Sequence, residues 1–139
     1  MLYLETYGYG YSIRRAQSIV NWFIGEYLPR HKITVDINHR GMRRDCALAW
    51  IGPVGSQYRP RHFEIEIQSN LDADTYTVTL LHELIHLRQW VEGSLKTKNG
   101  KMYYKDTDLQ NLDYTEHPHE IEAQSLEKVY YLNYLKSIS

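Results

Sequence analysis

The residues of this chain with the clearest chemical potential are His82, Glu83 and His86 in the run Thr79-Leu-Leu-His-Glu-Leu-Ile-His-Leu87. Positions four apart on a helix lie one turn apart on the same face, so two imidazoles there can converge on a single ion. Zinc accepts neutral imidazole nitrogen readily and is commonly held by three protein ligands plus a water. A zinc-bound water has its pKa lowered toward ~7, and the Glu83 carboxylate, one residue on from His82, is placed to take its proton. This division of labour is the physical content of the HExxH pattern. The flanking Val78, Leu81, Ile85 and Leu87 are apolar, which predicts a largely buried helix. Burying two His and a Glu is costly unless they are paired or bind a metal. The competing reading is a solvated helix face with incidental histidines.

A third ligand is required. An extension with Gly three residues and His six residues beyond His86 is absent, because those positions hold Gln89 and Glu92. The next candidates lie in Glu116-His117-Pro118-His119-Glu120-Ile121-Glu122-Ala123. Glu120 is favoured: it falls in the first turn of a predicted helix, and the small Ala123 lets two helices approach. Imidazole is an equally good zinc ligand, so His119 and His117 are rivals, followed by Glu122 and Glu116. Glu120 and Glu122 lie ~200° apart around a helix and cannot both face one ion. Tyr114, His117 and His119 are also candidates to donate a hydrogen bond to a developing oxyanion.

HELIH followed some thirty residues later by HEIEA at a helix start resembles small gluzincin-type metallopeptidases. It looks like the ImmA/IrrE-type peptidases, the integral-membrane-type peptidases with an E-x-E-A helix, the SprT-like minimal zincins, and short phage-encoded chains classed with metallopeptidases. The likeness covers His82–His86 and Pro118–Ala123, and not the N-terminal segment or residues 93–116. In the gluzincin-type groups the first Glu of E-x-E-A binds zinc, which falls on Glu120. The SprT-like group uses a third His, which would fall on His117 or His119. The chain also departs from the membrane peptidases in having Gln124 where they have Asp. The resemblance implies a zinc-dependent metallopeptidase that hydrolyses peptide bonds of a protein or peptide substrate, with Glu83 as general base. The alternative is a zincin-fold module that binds zinc without catalysis and acts in regulation or interaction.

The elements that must position these groups follow from periodicity. Ser12 caps a predicted helix over 12–28, where Ile13, Ala16, Val20, Phe23 and Tyr27 recur at helical spacing and Pro29 ends the pattern. Ile33–Ile37 and Phe63–Ile67 alternate apolar and polar residues, and Cys46–Ile51 is a more continuous apolar run; all three read as strands of a mostly antiparallel sheet. Glu64 and Glu66 face away from the core; a plain solvated strand face is the favoured reading, and bordering a cleft is the alternative. A helix over 73–92 carries HELIH between an Asp72 or Asp74 cap and Gly93. Residues 93–116 read as a polar connection with a brief strand at Met102–Tyr104; its four lysines suit an acidic partner or simply a solvated loop. Pro118 opens a last helix through Leu135. The whole predicts one α+β, zincin-like domain over 1–139.

Composition bounds the setting. The 139 residues can bury a core without disulfides, and the single Cys46 cannot form one internally. A formal net charge of −1 gives no global field for nucleic acid or anionic membrane. The N-terminal Tyr/Gly-rich segment has no apolar h-region and no run reaches spanning length, so a cytoplasmic location is expected. The thirteen tyrosines are expected to pack half-buried.

Overall fold

The computed structural model describes residues 1–42, 47–110, 112–113 and 116–139. Cys46, the start of the expected second strand, lies outside them. The elements run β1 (Leu2–Gly8), α1 (Ile13–Tyr27), β2 (Ile33–Arg40), β3 (Ala49–Pro53), β4 (His62–Gln68), α2 (Ala73–Glu92), β5 (Leu95–Lys98), β6 (Lys101–Tyr104), β7 (Thr107–Asp108) and α3 (Pro118–Ile138). Among the described residues, three helices and two small sheets make a mixed α/β architecture compatible with α+β.

The first sheet has the order β1-β2-β4-β3. Its core face is written in the sequence alternation: Ile33, Val35 and Ile37 of β2 and Phe63, Ile65 and Ile67 of β4 are fully buried. Each such side chain contributes about 1.5–3 kcal/mol on removal from water. Ala16, Ile19, Val20 and Phe23 of α1 and Leu80, Leu81, Leu84 and Leu87 of α2 complete the same cluster. The expectation of a mostly antiparallel sheet is corrected here, since β1–β2 and β2–β4 are parallel and only β3–β4 is antiparallel. β2 and β4 are parallel because the chain passes out to the edge strand β3 between them, and the β1–β2 pair is parallel because of β1, which sequence reading left out. Leu2, Leu4 and Thr6 alternate with outward Tyr3, Glu5 and Tyr7, and α1 carries the chain back to start β2 alongside. A helical crossover of this kind makes neighbouring strands parallel. Strand β3 runs on through Gly52 and Pro53, past the expected end at Ile51; proline is tolerated there because β3 is an edge.

Helix α2 spans the expected residues. Asp72 accepts from the Thr75 amide at 2.8 Å, and Gly93 ends the helix at φ 83°, a left-handed conformation that favours glycine. Beyond it the expected loop is a second, antiparallel sheet in the order β5-β6-β7. Lys98 pairs with Lys101, leaving Asn99-Gly100 as a two-residue turn with φ of 54° and 77°. Asn-Gly is the strongest short-range hairpin signal, and it was legible at 99–100. Helix α3 begins at Pro118 as its proline predicts, and packs on α2. Among the described residues, no helix is long and apolar enough to cross a membrane.

Candidate metal centre

Helix α2 presents His82 and His86 one turn apart, and α3 brings the first-turn Glu120 across to them. His86 Nε2 lies 2.6 Å from Glu120 Oε1, and His82 Nε2 lies 3.2 Å from Glu120 Oε2. One ligand atom from each of the three residues falls within 4.8 Å of the others, the one such His/Cys/Asp/Glu group found among the described residues. Ala123, wholly buried three residues beyond Glu120, occupies the packed side of α3.

The donor set suits a divalent ion. Ligand atoms ~2.0–2.1 Å from a tetrahedral ion are ~3.3–3.4 Å apart; the His82–Glu120 separation of 3.2 Å is close to that, and His86 and Glu120, at 2.6 Å, would move apart to admit an ion. His86 Nε2 is buried and, despite its nearness to Glu120, has no well-aligned hydrogen-bond partner. The remaining nitrogens are held: His82 Nδ1 lies 2.7 Å from Glu127 Oε2, and His86 Nδ1 lies 2.7 Å from Gln89 Oε1. An oxygen on the far nitrogen orients each imidazole, selects the tautomer with Nε2 free, and raises ligand basicity. Gln89 is fixed in turn, its Nε2 donating to the His119 carbonyl and to Glu122, both at 3.0 Å, while Tyr104 Oη donates to Glu122 at 2.6 Å. Residues His82, His86 and Glu120 can therefore hold a metal ion. Glu127 and Gln89 were missed by sequence reading. Their signals are modest: Glu127 is two turns beyond Glu120 on the same side of α3, and Gln89 is one turn beyond His86.

Electrostatics fit the same picture. Burial alone would lower the His82 pKa, but its hydrogen bonds to Glu120 and Glu127 outweigh that and hold it at about 9. Burial would raise Glu120, yet the two imidazoles keep it well below the usual carboxylate range. Glu83 is buried at 8% exposure, and that burial pushes its pKa up despite the neighbouring histidines.

The rival ligands are placed elsewhere. His119 is buried beside the group, its Nε2 4.0 Å from Glu120 Oε1 and its ring 5.3 Å from that of His86. Burial, and then the charge of His86, lower it to about 4, so it is neutral at pH 7. Its Nδ1 is buried without a partner. His117 Nε2 sits 3.1 Å from the Leu112 carbonyl. Glu122 is turned to Gln89 and Tyr104, and Glu116 is exposed. Tyr114 lies outside the described residues.

A cleft of about 180 Å³ opens onto the site, with Glu83, His86, His119 and Glu120 on one side and Trp50, Trp90 and Met102 among its apolar walls. Strand β3 borders it through Ala49, Trp50 and Ile51, together with Leu95 of β5 and Met102 of β6, and the candidates Glu64 and Glu66 of β4 do not. Strand β4 is interior to the sheet; Glu64 faces a different hollow with Tyr7 and Asp36, and Glu66 pairs with Arg40. Compared with protein-family models, curated proteins and solved structures, the chain matches none.

Proposed function

We propose that this chain is a zinc-dependent metallopeptidase that hydrolyses peptide bonds. The observation that carries the reading is the convergence of His82, His86 and Glu120 within 4.8 Å, with a buried Glu83 lining the adjoining cleft. Bound zinc would supply Lewis acidity, drawing the pKa of a water toward ~7. Glu83 takes the proton from the attacking water and returns it to the departing amine; its raised proton affinity suits a group that must do both. His119, neutral and lining the cleft, supplies a hydrogen bond to the carbonyl oxygen as negative charge develops there. The open edge of β3 aligns an extended peptide by main-chain pairing, beside the apolar walls of the cleft.

The test is metal content by elemental analysis, together with hydrolysis of a quenched-fluorescence peptide library by wild type and Glu83→Gln. Stoichiometric zinc, activity lost to a chelator and restored by zinc, and an inactive Glu83→Gln that keeps its zinc are expected. A chain without zinc sinks the reading. A zinc-loaded chain that cleaves nothing would favour a non-catalytic zinc-binding module.

A further inference from the structure

The lysines of the segment after α2 find no role at the metal centre. Two of them, Lys96 and Lys98, border a groove of about 630 Å³, a volume in the range of ligand sites. Across it, on the β3–β4 connection, stand Arg59 and Arg61. None of these four cations has a carboxylate within ion-pair distance among the described residues; the groove's Glu92 is engaged by Arg88 at 3.0 Å. The Arg59 guanidinium lies over the ring of the exposed Tyr58, and Arg61 donates only to the Pro60 carbonyl. In a chain of net charge −1, this is a local concentration of uncompensated positive charge.

The groove has a direction. Leu95, Lys96, Thr97 and Lys98 all line it, although alternate residues of a strand face opposite ways. It therefore runs along the edge of β5, and among the described residues that edge is open, because β5 pairs there only with β6. At its other end the groove shares Trp90 and Leu95 with the cleft at the metal centre.

We propose that this groove docks an extended, acidic peptide segment, which pairs with the β5 edge, sets its carboxylates against Lys96, Lys98, Arg59 and Arg61, and leads into the candidate active cleft. Main-chain pairing to an open edge supplies affinity and the cations supply selectivity and steering. A nucleic acid fits less well: the chain has no global positive field, and the groove offers a strand edge where single strands want a row of stacking aromatics. That the docked segment belongs to a substrate rests on the peptidase reading; the docking does not.

The test uses fluorescence anisotropy with the full chain carrying Glu83→Gln and two labelled peptides, one of alternating Glu and Ala, the other of alternating Gln and Ala. The Glu peptide is expected to bind more than about tenfold tighter, and less tightly as salt screens the groove. The double variant Lys96→Glu/Lys98→Glu, at exposed positions, is expected to lose that preference while keeping its circular dichroism and zinc content. Equal binding of the two peptides, a preference that survives charge reversal, or tighter binding of a labelled oligonucleotide overturns the docking site. With wild-type protein, a quenched-fluorescence substrate bearing the acidic segment should be cleaved at a lower KM than its Gln counterpart. Cleavage of both at one KM would leave the peptidase reading standing and the docking refuted; docking without any cleavage would do the reverse.

Discussion

At the scale of single residues, the site separates groups that would touch a metal from those that hold them. Glu83 belongs to neither set; it is a buried carboxylate beside the ligands. Glu83→Gln should lower turnover of a cleaved peptide by about 10²–10⁴-fold with zinc content unchanged, as measured by steady-state kinetics and elemental analysis. Unchanged turnover would refute its role as base. Glu120→Ala should abolish stoichiometric zinc. Glu127→Ala and Gln89→Ala should each weaken zinc binding by about 10–100-fold in a competitive chelator titration, because each frees one imidazole to turn. The indirect contact of Glu122, through Gln89, makes a smaller loss the expected result for Glu122→Ala.

Among the elements, the α2–α3 contact decides whether the site exists. His82 and His86 are set by one helix, but Glu120 reaches them only because α3 lies close, with the wholly buried Ala123 on its packed side. Ala123→Leu should cost about 1–3 kcal/mol by overpacking. It should also cut zinc affinity in the chelator titration by pushing Glu120 away while leaving the circular dichroism spectrum in place; native-like zinc binding would show that α3 has room to yield. The end of α2 offers a control. Gly93 sits at φ 83° with open space where a Cβ would project, so Gly93→Ala should lose about 1–2 kcal/mol to backbone strain alone, read from the denaturant midpoint at unchanged m, with zinc affinity retained.

Over the whole molecule, metal binding and folding would be linked through protons. The metal-free His82 carries its proton until about pH 9. Its raised pKa stabilises the metal-free fold fully below the ordinary histidine range and ceases to do so as pH rises through about 9. The depressed Glu120 works in the other sense: its contribution is present above the ordinary carboxylate range and is lost as pH falls through its lowered value. Zinc must displace the His82 proton, so apparent affinity should climb with pH up to about 9. Calorimetric titrations at pH 7 in buffers of different ionisation enthalpy should show at least about one proton released per zinc; the His82 share falls away above pH 9, leaving only that of a zinc-bound water. No proton release at pH 7 would mean that His82 is not a ligand.

By itself, the sequence determined the local facts: α1, α2 and α3 from helical spacing and caps, the buried faces of β2 and β4 from alternation, and the pairing of His82 with His86 from their spacing of four. Each depends on residues a few positions apart, whose relative placement helix or strand geometry dictates. The tertiary structure alone decided the rest. Strand direction followed from where α1 and the excursion through β3 return the chain, the convergence of Glu120 with His82 and His86 from how α3 packs on α2, and the contacts of Glu127 with His82 and of Gln89 with the His119 carbonyl from that same interface. Those outcomes are set by packing between segments tens of residues apart, and no local periodicity records it.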